Sequence, residues 1–127
     1  MSSKIIEDNI IRLNLPSRFE NKLRHDLYVI EASKIPGIIE VRIFGSGATG
    51  KLRASSDLDL LILTKQSLKQ RVLRAELSEQ LDMEYDGVST DCVFYTMESF
   101  QTGQDTFSME LRRDSIVVWK EGELEYE

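Results

Sequence analysis
Apolar residues recur along this chain in two distinct periods. From 17 to 30 they fall at Phe19, Leu23, Leu27 and Ile30, the three- and four-residue spacing of one helical face. Ser17 and Glu20 have the spacing of a capping box at its start, and Pro36-Gly37 closes it. Ile38 to Phe44 reads as a strand, with Ile39, Val41 and Ile43 assigned to one face. Residues 46–53 form a turn and at most a short helix. Residues 57–64 form a second strand, which runs into Leu60-Leu61-Ile62-Leu63, the continuous apolar stretch of a buried strand. Ser67 with Gln70 opens another helix, whose apolar face is Leu68, Val72, Ala75 and Leu81. Tyr85-Asp86-Gly87 breaks the chain. Residues 88–96 then alternate Val88, Thr90, Cys92 and Phe94 against Ser89, Asp91, Val93 and Tyr95, as in a third strand. Residues 97–113 read as helical with an interruption at Gly103, and 116–119 as a short last strand.

Residues 2–15 fit either a short helix or an edge strand, and the acidic tail 121–127 reads as loose. Helices alternating with strands, without repeat or linker, imply one α/β (α+β) domain over 1–127 with its core at about 17–120: a small mixed β-sheet backed by helices.

Composition narrows the chemistry. With one Cys92 and one His25, neither an internal disulfide nor a Cys/His zinc site can be assembled. Cys92 is expected in the core, Trp119 packed on the last strand, and His25 on the solvated surface. No run of 18 apolar residues occurs, and the first eight residues carry acids where a signal peptide keeps an apolar core, so a cytoplasmic protein away from membranes is expected. The net charge of −6 argues against a broad nucleic-acid surface and suits a basic protein partner. Lys51, Arg53 and Arg42 lie near the turn at 45–50 and could form a local basic strip.

That turn carries the candidate chemistry. Gly45-Ser46-Gly47-Ala48-Thr49-Gly50-Lys51-Leu52 fits three phosphate motifs at once. As a dinucleotide fingerprint or a Walker A loop it needs a full helix after the glycines, yet the next strand begins only seven residues after Gly50. Leu52 also stands where a Walker A loop places the hydroxyl that binds Mg²⁺. The third motif is a Gly-Ser turn followed, ten residues on, by Asp57-Leu58-Asp59. Side chains alternate across a strand, so Asp57 and Asp59 point the same way, with Cα atoms about 6.6 Å apart. Asp is depleted in strands and costly to bury unpaired, so two acids at the head of an apolar run favour a metal-binding role. Small residues at 45 and 46 let the backbone approach a triphosphate, and the Ser46 hydroxyl can donate to a phosphate oxygen.

The spacing Gly-Ser, ten residues, Asp-x-Asp resembles the signature of the minimal nucleotidyltransferases, small members of the DNA polymerase β-like superfamily. These are often the antitoxin half of a pair with a helical HEPN-domain ribonuclease toxin. The resemblance runs from about residue 39 to 119 and implies the polymerase β-like fold. It also implies a catalytic and metal-holding set of Asp57, Asp59 and Asp91, the last by its position in the third strand. Gly45, Ser46, Lys51 and Arg53 become the nucleotide-binding residues, with two Mg²⁺ ions as cofactors and ATP as substrate. The implied reaction moves AMP to a tyrosine hydroxyl of a HEPN toxin. Gly47 and Thr49 stand where many relatives carry arginine, which leaves Lys51 and Arg53 to serve the phosphates. A homo- or a hetero-oligomer is allowed.

The alternative is a catalytically degenerate module that neutralises its partner by binding alone. A small-molecule nucleotidyltransferase would need an additional helical domain, and one acting on RNA ends is disfavoured by the acidity.

Overall fold
The computed structural model describes residues 5–67 and 71–122. The elements run α1 (Glu7–Leu13), α2 (Ser17–Ser33), β1 (Ile38–Phe44), α3 (Ser46–Thr49), β2 (Leu58–Thr64), α4 (Arg71–Asp82), β3 (Thr90–Thr96), α5 (Met97–Thr102), α6 (Thr106–Asp114) and β4 (Ile116–Lys120). The strands form one sheet in the order β3-β2-β1-β4. β1 is antiparallel to both neighbours, and β2 is parallel to β3, with α4 as the crossover. The mixed sheet backed by helices is therefore present.

β2 lies inside the sheet and is covered on both faces, which is why it reads as an unbroken apolar run. Leu58, Leu60 and Ile62 pack with the buried stripe of α2 and with Leu77 and Leu81 of α4. Leu61 and Leu63 pack on the opposite face with Phe100 of α5 and Leu111 of α6. Alternation puts Asp59 on the α5/α6 face. Trp119 packs in the main core as expected, and Cys92 is partly buried against it. No helix is long and apolar enough to cross a membrane among the described residues.

Several local readings change. Residues 7–13 are helical, while Ile5 makes an isolated bridge to Trp119, so the N-terminal stretch combines both alternatives. Ser17 does not cap α2; Pro16 holds that position, and Glu20 pairs with Arg24 at 2.9 Å instead of reaching back. A register shift between Ile38 and Glu40 turns Ile39 away from Val41 and Ile43, so Ile38 joins them in the main core. Leu68 and Gln70 lie outside the described residues. In α4 Val72 and Ala75 are exposed, and Leu77 takes the buried position with Leu81. His25 is stacked on Tyr85, with centroids 4.0 Å apart, rather than free in solvent. Residues 123–127 of the tail also lie outside the described residues. Thr96 and Asp105 cap α5 and α6 by accepting from the amides of Ser99 and Ser108.

Beneath the start of β3 lies a fully buried ion pair. Lys22 Nζ donates to Asp26 Oδ1 at 2.5 Å and to the carbonyl of Leu81 at 2.6 Å. Thr90 Oγ1 donates to the other Asp26 oxygen at 2.5 Å. Burial pushes the Asp26 carboxyl up, against the opposing hydrogen bonds from Lys22 and Thr90. These bonds join α2, the end of α4 and the first residue of β3.

Removing one partner leaves a buried charge uncompensated. Lys22→Ala should cost about 3–5 kcal/mol in urea unfolding, and Lys22→Met combined with Asp26→Leu should recover most of that loss. A loss below about 1 kcal/mol for the single change would contradict the buried pairing.

Candidate active site
The site forms where β1 ends against the start of β2. In the antiparallel pair Phe44 is opposite Asp59, and in the parallel pair Asp59 is opposite Asp91. In-register neighbours on adjacent strands project to the same face, at a strand spacing of about 4.8 Å. The carboxyls of Asp59 and Asp91 are thus neighbours on the α5/α6 face. Asp57 sits just before β2 and is exposed. The Leu58 amide donates to the Ser89 carbonyl at 3.0 Å and fixes the head of β2 to the segment leading into β3.

Gly45 follows β1 with φ 67°, a conformation that L side chains rarely adopt. A Cβ there would collide with the Asp59 carboxylate, whose Cγ would be 3.2 Å away. Position 45 therefore requires glycine twice, for its backbone angle and for its closeness to the acid. Ser46 begins α3 and is partly buried. Ala48 and Thr49 amides donate to the Gly45 carbonyl at 3.0 and 3.1 Å, and the preceding amides of the turn have no acceptor within the helix. Gly50 closes α3 in the left-handed region, and the Lys51 amide returns to the Ser46 carbonyl at 3.0 Å. Gly47 is buried, and a Cβ there would stand 2.8 Å from Ile43 Cδ1. Core packing thus accounts for glycine at position 47.

Burial pushes the Asp59 carboxyl up to about 6, and the like charges of Asp91 and Asp57 add to the shift. Asp57 and Asp91 are thus each within electrostatic reach of Asp59. Among the described residues, no group of three or more His, Cys, Asp or Glu is gathered closely enough to hold a metal by itself. The expected three-acid convergence is thus only partly formed: Asp59 and Asp91 are adjacent, and Asp57 stands at the rim. The donor set still fits Mg²⁺, which prefers hard oxygen ligands and commonly binds through one or two carboxylates plus waters and substrate phosphates. The unfavourable charge at Asp59 is what a divalent cation would relieve.

Lys51 and Arg53 are exposed on the loop after α3, and neither forms an ion pair among the described residues. Arg42 does not join them. It pairs with Glu40 at 2.5 Å, donates to Ser115 Oγ at 2.7 Å and covers the Phe100 ring. Arg18, on α2, goes unnoticed in the sequence. It donates to the carbonyls of Ala54 and Gly87, tying the 50–57 loop to the turn before β3. Its partners lie 36 and 69 residues away, so no local pattern reveals it.

Fold and site together define a nucleotide-transferring domain of the Gly-Ser, Asp-x-Asp type. The nucleotidyltransferase domain family model matches residues 27–116, and the chain belongs to that family. The fold is similar to a toxin–antitoxin structure with AMP-PNP, at 21% identity over 80% of this chain and 73% of that one, TM-score 0.58. It is also similar to a protein assigned as a minimal nucleotidyltransferase, at 26% identity over 77% and 93%, TM-score 0.55. A third similar structure is a tri-AMPylated Shewanella oneidensis HEPN toxin in complex with an MNT antitoxin, at 16% identity over 81% and 73%, TM-score 0.53. No curated protein matches the sequence.

Two outcomes follow from this geometry. In the metal-free protein the Asp59 carboxyl should titrate near 6 by NMR, against an ordinary value of 3.8. A raised native pKa means that the folded state binds the extra proton, so this group's contribution to stability is present below about 4 and lost as pH rises through about 6. Urea midpoints of wild type and Asp59→Asn across that range check the sign. Gly45→Ala should destabilise the fold by about 1–3 kcal/mol and shift the Asp59 resonance. An unmoved Asp59 would contradict the close approach.

Proposed function
We propose that this chain is a Mg²⁺-dependent antitoxin nucleotidyltransferase that moves AMP from ATP to a tyrosine hydroxyl of a HEPN ribonuclease partner. The observation that carries this reading is the in-register pairing of Asp59 with Asp91 directly beside the Gly45 backbone. Family membership supports nucleotidyl transfer, and the fold shared with toxin–antitoxin structures supports the partner.

Asp57, Asp59 and Asp91 would hold the metal. When bound, Mg²⁺ neutralises charge on the polyphosphate and lowers the pKa of the attacking hydroxyl. Gly45 leaves its backbone open to the triphosphate, and the Ser46 hydroxyl donates to a phosphate oxygen. Lys51 and Arg53 add positive charge from the exposed loop. The acceptor oxygen attacks the α-phosphorus in line. Its bond to phosphorus forms as the bond from that phosphorus to the bridging oxygen breaks, and pyrophosphate leaves with the electron pair. Asp91 accepts the proton of the attacking hydroxyl. The product is AMP esterified to the partner's tyrosine.

With α-labelled ATP, Mg²⁺ and a HEPN partner, label should pass to the partner protein. Asp57→Asn with Asp59→Asn should reduce that transfer by at least about a hundredfold. Undiminished labelling would remove both acids from the metal site. The exposure of Lys51 and Arg53, with Gly47 and Thr49 in place of arginines, favours a second reading. There the chain masks its partner by contact alone. Neutralisation by the double variant, with no transfer from wild type, would establish it.

A further inference from the structure
One side of α6 carries features that the phosphate chemistry leaves unused. Phe107, Glu110 and Asp114 share that side and, with Phe44, Gly45 and Thr49, line a cleft of about 260 Å³. The cleft reaches Gly45, against which the Asp59 carboxylate rests. Phe107 is 39% exposed, yet its ring is held by edge contacts to Phe44 at 5.8 Å and Tyr95 at 6.3 Å. The ring thus has an aromatic neighbour on each of two strands while part of it faces solvent.

Charge sets what this cleft can accept. No lysine or arginine lines it, and both of its ionisable groups are carboxylates. Arg113 beside Asp114, at 2.8 Å, holds that carboxyl below the usual range. A lining without a cation offers phosphate no partner, whereas a flat heterocycle with N–H donors is matched by its carboxylate acceptors. The volume lies below the roughly 300–1,000 Å³ of pockets for whole drug-sized ligands, and suits one ring system.

We propose that this cleft receives the base of the donor nucleotide and selects one with an exocyclic amino group. Phe107 stacks on the heterocycle, and Glu110 accepts a hydrogen bond from the amino N–H. The triphosphate then extends from the cleft past Gly45 to the acids. This rests on the reading of the chain as a nucleotidyltransferase with its triphosphate at Gly45 and Ser46.

The test is calorimetric binding of ATP, ITP and inorganic tripolyphosphate to the full chain in Mg²⁺. ITP keeps the purine ring and replaces the amino group with a carbonyl. Wild type should bind ATP at least about tenfold more tightly than either comparator, in line with the strength of base–aromatic stacking and of a matched hydrogen bond. Phe107→Ala should weaken ATP about tenfold and leave tripolyphosphate unchanged. Glu110→Gln should bring the ATP/ITP ratio towards one. Equal binding of ATP and tripolyphosphate by wild type overturns the base cleft while nucleotidyl transfer stands. Equal loss of ATP and tripolyphosphate on Phe107→Ala overturns it as well. A ratio unmoved by Glu110→Gln overturns selection of the amino group. Failure to bind either polyphosphate overturns both this inference and the transferase reading.

Discussion
The contact between the Gly45 backbone and the Asp59 carboxylate is the constraint around which the site is arranged. It exists because β1 ends opposite the point where β2 begins, with Phe44 and Asp59 as register partners. A left-handed glycine then turns the chain away from the sheet and starts α3 beside the acid. The Gly45 turn and the Asp59 carboxylate come from the end of one strand and the start of the next, and their closeness follows from one antiparallel pairing. The parallel pairing with β3 adds Asp91 in the same layer. Two ladders of backbone hydrogen bonds therefore set the spacing of the turn and the two acids.

Support for that layer comes from below. The Lys22–Asp26 pair is buried, and such pairs contribute little net stability against apolar replacements. What it does supply is direction. Asp26 accepts from Thr90, the residue before Asp91, and Lys22 reaches the end of α4. The crossover helix and the strand it feeds are thereby held to α2 at the end of the sheet where the acids lie.

Much of this was legible in the chain, for physical reasons that differ from element to element. Acids are unusual in strands, so Asp57-Leu58-Asp59 before four apolar residues marks the point where a buried strand begins. The stripe Phe19, Leu23, Leu27 and Ile30 is buried because helix period and core face coincide. Where tertiary context intervenes, the reading fails. One register shift in β1 reverses the face of Ile39. Proline at 16 takes the capping place offered to Ser17. Val72 fits the helical period, but α4 turns it outward. Lys22, Asp26 and Arg18 find partners 36 to 69 residues away, beyond any local pattern. The side of α6 that faces Gly45 is hidden in the sequence in the same way, since Phe107 gains its neighbours only when the sheet forms.

The demands at position 45 also shape how the gene can vary. Every glycine codon has the form GGN, and each amino-acid change reachable by a single base adds a Cβ atom. No missense step from this codon is therefore gentle. Residue 45 is thus expected either to stay silent at its third base or to change the geometry beside the acid.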